Sequence, residues 1–150
     1  HGAVHGPKVG EGWQAGKVLQ PSIGKGRAMH DLCCPFPMNW TALTEAYQLD
    51  AIDLASQQGP VLIFKHSTRC NISSAALNRL ESAWTPADPG TTSVHYLDLL
   101  KYRSLSNAVA ERYGIEHESP QVLVIREGRC VHVSSHFGIT YADTVAALRA

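Results

Sequence analysis

No apolar run in this chain approaches the ~18 consecutive residues that a membrane-spanning helix needs, so no span is expected. Neither sign of charge is in excess: Lys and Arg total 13, and Asp and Glu total 13. Such a balance gives no basic stripe for nucleic acid and no polybasic patch for anionic lipid. Neither is an expected partner. The first residues lack the apolar core of a secretory signal, and cytoplasm is the expected location. Cysteines are few and badly spaced for a disulfide framework. Cys33 and Cys34 are adjacent, while Cys70 and Cys130 lie far apart. The histidines show no paired His or Cys spacing of the kind structural zinc requires. No bound metal or resident cofactor is expected.

What is present is enough apolar material for one domain with a true core: 150 residues, 44% of them hydrophobic. Residues 1–37 stand apart from the rest. They hold seven of the twelve glycines and four of the eight prolines, with neither helical nor strand period. They read as an irregular arm. Two readings stand for it: Met38 is the biological start, with translated upstream sequence ahead of it, or the arm is an extension that wraps the domain.

From Met38 the pattern becomes regular. Thr44 is placed to cap a helix whose apolar stripe is Leu49, Ile52, Leu54 and Ala55, running to about Gln57. "VLIFK" (61–65) is a short continuous apolar run that suits a strand buried on both faces. "NISSAALNRLESAW" (71–84) carries Ile72, Ala75, Ala76, Leu80 and Ala83 at helical spacing. A loop follows, then a strand over 94–100. A helix over 104–114 has Asn107 and Glu111 outward and Gly114 as its stop. Two strands joined by Glu127-Gly128 form a hairpin, and an amphipathic helix closes the chain. The order α-β-α-β-α-β-β-α predicts an α/β domain over 38–150, with a mixed sheet of about four strands flanked by helices. Right-handed crossovers leave few topologies, and a thioredoxin-like fold is the expected one.

Cys70 stands where the first long strand hands over to the next helix. Helix starts carry unpaired N–H groups and a partial positive charge, features that favour thiolate over thiol. Lys65, His66 and Arg69 flank it, and the polar run His66, Ser67, Thr68, Arg69 and Asn71 reads as a solvated loop. The competing reading is a buried structural cysteine. Ser73 occupies the second position of what would be a Cys-x-x-Cys site. Its hydroxyl is placed to donate to Cys70, but it has no sulfur with which to resolve a mixed disulfide. A monothiol cycle follows, in which a second thiol releases the adduct. Pro120, after Ser119, precedes a core strand, where this fold commonly has a cis bond. The Ser119 backbone is then expected beside Cys70, open to pairing with a substrate. An ordinary turn proline is the alternative.

The blocks "MNWTAL", "FKHSTRCNIS" and "SPQVLVIREGRCVHVSSHFGIT", in that order, resemble the YtxJ family of monothiol bacilliredoxin-like proteins. The likeness covers residues 38–150. The family typically reads Thr-Cys-Pro-Ile-Ser at the site, where this chain has Arg69 before Cys70 and Asn71 after it. Arg69 adds positive charge there, and Asn71 keeps an N–H that proline lacks. The resemblance implies a thioredoxin fold and Cys70 as the active thiol. It implies removal of bacillithiol, or another low-molecular-weight thiol as co-substrate, from S-thiolated proteins. His66, Arg69, Asn71, Ser119, Pro120 and His136 are the expected substrate-side residues, with Cys70 and Ser73 catalytic.

Other functions compete. A monothiol glutaredoxin-like module would hold an iron–sulfur cluster or a small thiol without turnover. The Cys-x-x-Ser spacing allows it, but the Gly and Phe of that site are missing. A peroxidase would use Ser67, three residues before Cys70, yet lacks the upstream proline. Arsenate reduction lacks a set of arginines for the oxyanion. If Val131 and Val133 face the core, Cys130 and His132 share the opposite face. Cys130, Cys33 and Cys34 are assigned no role.

Overall fold

A computed structural model of the protein describes Gly2, residues 38–85 and residues 93–150. The reading of an irregular arm with Cys33 and Cys34 therefore lies outside the described residues, as does most of the loop before residue 93. The elements are β1 (Thr41–Ala42), α1 (Gln48–Ala55), β2 (Val61–His66), α2 (Asn71–Ala83), β3 (Ser93–Asp98), α3 (Arg103–Tyr113), β4 (Gln121–Arg126), β5 (Arg129–Ser135), a 3-10 turn (His136–Gly138) and α4 (Tyr141–Arg149). The five strands form one sheet in the order β1-β3-β2-β4-β5. β1, β3 and β2 run parallel, while β4 is antiparallel to β2 and β5 to β4. This is the expected α/β thioredoxin-like architecture, with one strand more than the sequence predicts.

Every residue of β2 is buried, because helices cover both faces of the sheet. Leu62, Phe64, Val122 and Val124 pack with Ala76 and Leu80 of α2 and Leu148 of α4. Val61, Ile63, Leu123 and Ile125 pack with Leu49 and Ile52 of α1 and Leu105 and Val109 of α3. The alternation of strand side chains thus splits the core into an α2/α4 layer and an α1/α3 layer. Among the described residues, no helix is long and apolar enough to cross a membrane.

Four local expectations need correction. The extra strand β1 is two residues long, too short to show a period; the Leu43 N–H, which donates to Tyr96 O at 2.8 Å, anchors its end to β3. Helix α1 begins at Gln48, not after Thr44. The Gln48 side chain accepts from the Thr44 N–H (2.8 Å) and the Glu45 N–H (2.9 Å) and donates to Ala42 O (3.0 Å), which holds that stretch as a turn. Helix α2 buries Ser73, Ala76 and Leu80 and leaves Ile72 and Ala75 exposed, a face rotated from the predicted stripe. In β5, Val124 pairs with His132 but Ile125 pairs with Cys130, so Val131 is a bulged residue. The bulge turns Cys130 into the α1/α3 layer and leaves Val131 and Val133 53% and 47% exposed. Unbroken alternation would have kept Cys130 and His132 on one face; the extra residue separates them.

The hairpin turn is as predicted. Glu127 and Gly128 have φ of 51° and 72°, the left-handed pair that a two-residue turn requires. Gly114 ends α3 with φ 62°, again as the sequence indicates.

Candidate active site

Strand β2 leaves the sheet at His66, and a three-residue loop leads to Cys70. The Cys70 N–H donates to Ser67 O at 3.1 Å, closing a tight turn, and the Ser74 N–H donates to Cys70 O at 3.1 Å. Cys70 is the N-cap of α2, in extended backbone conformation, and its sulfur makes no capping hydrogen bond with the first turn. Its thiol is free and half-buried. Arg69 and Asn71 are exposed on either side of it. The thiol therefore sits at the surface where a strand-to-helix junction places it, with one charged and one amide side chain beside it.

Ser73 is placed differently from expectation. It is fully buried, its Oγ accepts from the Ser67 N–H at 3.0 Å, and it lies 2.7 Å from His66 Nδ1. The first turn of α2 points this residue inward, so its oxygen serves the loop and His66. A hydroxyl has one proton; while that proton is given to His66, it is not available to Cys70.

His66 is likewise not the solvated loop residue predicted. It is the last residue of β2 and 5% exposed. Its ring lies 6.2 Å from Phe64 and 5.5 Å from Tyr96, centroid to centroid. Burial lowers its pKa, opposed by the nearby carboxylates of Asp98 and Glu81. A neutral imidazole is the form this setting favours. His66 thus reaches substrate only through Ser73 and the Cys70 loop.

The Ser119–Pro120 bond is cis. Lys65 of β2 stands opposite Gln121 of β4. The residues after Lys65 and those before Gln121 therefore share one end of the sheet, and Pro120 emerges at the end from which the Cys70 loop departs. Pro120 O accepts the His136 N–H at 3.1 Å, which brings the 3-10 turn to the same end. His136 has φ 52°, and its side chain is exposed. Ser119 is half-buried, and its hydroxyl has no hydrogen-bond partner. The fold thus gathers Cys70, Ser73, His66, Pro120 and His136 at one sheet end, with Arg69 and Asn71 on the outer rim.

The sequence marks Lys65 only as a flanking charge. Its side chain has no exposed surface and donates to Ser106 O at 3.1 Å. It points to the α3 side, away from the layer holding His66. The sequence signal was there, a lysine closing a fully apolar strand, but its partners lie 41 and 52 residues away. Among the described residues, no three His, Cys, Asp or Glu side chains gather as metal ligands.

The family model described as Monothiol bacilliredoxin BrxC matches residues 41–144. Among solved structures, the chain is similar to a thioredoxin-fold protein assigned provisionally as an oxidoreductase, with 25% identity, a TM-score of 0.61, and 71% of this chain and 90% of that chain covered. It is also similar to a thioredoxin from Malassezia sympodialis (16% identity, TM-score 0.55, 75% and 90% covered). Thioredoxin f from spinach chloroplast is a further match (15% identity, TM-score 0.54, 73% and 89% covered). The last two likenesses show the fold alone.

Proposed function

Because this chain belongs to the monothiol bacilliredoxin family, we propose that it removes bacillithiol from protein mixed disulfides by a one-cysteine cycle at Cys70. A thiol–disulfide oxidoreductase-like role follows from the family and the fold. The observation that carries the finer reading is the pair Cys70 and Ser73. A half-buried free thiol opens α2, and the position of a second sulfur holds a buried serine whose oxygen is engaged by His66 and the Ser67 N–H.

In the first step the Cys70 thiolate attacks the bacillithiol sulfur of the mixed disulfide. A Cys70–bacillithiol disulfide forms, and the substrate's S–S bond breaks. The substrate cysteine leaves as a thiolate and takes a proton from water. In the second step another low-molecular-weight thiol, as its thiolate, attacks the bacillithiol sulfur. A small-molecule disulfide forms and Cys70 is released reduced. The Ser119 backbone and the side chains of Arg69, Asn71 and His136 form the substrate side in this reading. His66 acts behind them by fixing Ser73.

The test is intact mass of the reduced protein after incubation with bacillithiol disulfide or, separately, glutathione disulfide, alongside Cys70→Ala. One bacillithiol adduct on the wild type and none on the variant is the expected result. A glutathione adduct alone keeps the cycle and changes the co-substrate. No adduct with either disulfide overturns the reading.

A further inference from the structure

Lys65 places an ammonium in the interior beneath the Pro120 loop. Burial of a charge is costly unless it is hydrogen-bonded, and the partners here are specific. Nζ donates to Ser106 O of α3 at 3.1 Å and lies 3.4 Å from His117 Nδ1. Ser106 Oγ lies 3.3 Å from the same nitrogen. An ammonium has no lone pair, so His117 Nδ1 is the acceptor, and the imidazole is held neutral with its proton on Nε2. Burial lowers Lys65 to about 8, which leaves it charged at neutral pH. Burial first, then Lys65 and Arg103, lower His117.

His117 opens the segment that runs through Ser119 to Pro120. Gln121, opposite Lys65 in the β2–β4 register, closes it and donates from Nε2 to Glu116 O at 2.8 Å. The segment is thus tied down from below at both ends, and Lys65 is the point at which β2, α3 and the segment meet. We propose that Lys65 is a positioning residue for substrate. Its ammonium clamps residues 117–120 onto β2 and α3, and so orients the Ser119 backbone edge that receives the mixed disulfide. This rests on the oxidoreductase reading and adds to it a residue that acts on binding, not on the sulfur. Lys65 lies on the α1/α3 side of the sheet, whereas Ser73 and His66 lie on the α2/α4 side.

The test uses Lys65→Met, which keeps the chain length and drops the charge, and His117→Ala, which alters an exposed residue that the core does not need. Three quantities are measured on the full chain. They are hydrogen exchange of the peptide covering 115–121, the kinetics of thiol release from a protein carrying a bacillithiol mixed disulfide, and the rate of Cys70 alkylation by iodoacetamide. Both variants are expected to speed exchange of the segment about tenfold and raise KM about three- to tenfold, with kcat and the alkylation rate within about twofold of wild type. Unchanged segment exchange in both variants overturns the clamp. So does a fall in alkylation rate and kcat at constant KM, because Lys65 would then act on the thiol. A wild type that releases no thiol while the variants still loosen the segment refutes the oxidoreductase reading and upholds the clamp.

Discussion

Ser73 ties the Cys70 loop to His66 in the interior. Replacing it with alanine removes the partner of His66 Nδ1 and of the Ser67 N–H in the interior. Ser73→Ala is expected to cost about 1–3 kcal/mol, read as a lower urea midpoint at unchanged slope. Ser73→Cys supplies the missing sulfur. Mild oxidation is then expected to give an internal disulfide between Cys70 and the introduced thiol, seen as the loss of two hydrogens in mass. The bacillithiol adduct on Cys70 should no longer accumulate. If the adduct persists in Ser73→Cys, the buried position cannot reach Cys70, and the monothiol behaviour has another cause. At this scale the sequence discloses the place of Cys70 well, because a strand period, a polar break and a helix period bracket it. It does not disclose what Ser73 touches. A polar residue at helical spacing looks like an outward one, and the ring of His66 and the Ser67 N–H together make the inward rotamer favourable. His66 misleads for the same reason: it reads as loop by polarity, yet Phe64 and Tyr96 enclose it.

Elements were legible where a period had room to repeat. β2, β4, α2, α3 and α4 are each six residues or longer and appear where the pattern puts them. The failures are β1 and the β5 bulge, which a neighbouring strand imposes, the start of α1, which the Gln48 side chain delays, and the buried face of α2. The hairpin turn links sequence and packing. Its Glu127 N–H donates to Ser56 O at 2.9 Å and its Gly128 N–H to Ser56 Oγ at 2.8 Å, so the end of α1 holds the β4–β5 turn. Ser56→Ala is expected to destabilise the protein by about 1 kcal/mol, measured by chemical denaturation. Glu127, exposed and with φ 51°, pays a conformational penalty that asparagine or glycine avoids. Glu127→Asn is therefore expected to raise stability by about 0.5–1 kcal/mol. A loss instead would mean that its side chain makes a contact worth more than the strain.

Across the whole molecule, the buried bases set the pH dependence of folding. Burial lowers His66, His95 and His117 from the ordinary value of 6.5. Below that value the unfolded chain binds more protons than the fold, so stability rises with pH up to about 7. Lys65 adds a second rise. Its value is about 8 in the fold against 10.5 for an ordinary lysine. The penalty for its buried charge is fully present below pH 8 and is relieved as pH climbs toward 10.5. Tyr113 opposes this at the alkaline end. Burial first, then its hydrogen bond to Asp53, raises it above the usual 10.0. The unfolded chain then loses the tyrosine proton first, and stability falls above pH 10. The wild type is therefore expected to gain about 2 kcal/mol between pH 8 and 10, whereas Lys65→Met loses that rise and keeps the rise that His66 and His95 give in the acid limb. Thermal midpoints by calorimetry across pH 5 to 10 check this. An unchanged alkaline slope in Lys65→Met would place the titrating group elsewhere. The same lysine that lowers stability at neutral pH holds the substrate-side segment in place. A variant more stable at pH 7 yet weaker in substrate affinity would mark Lys65 as a residue kept for positioning at a cost in folding.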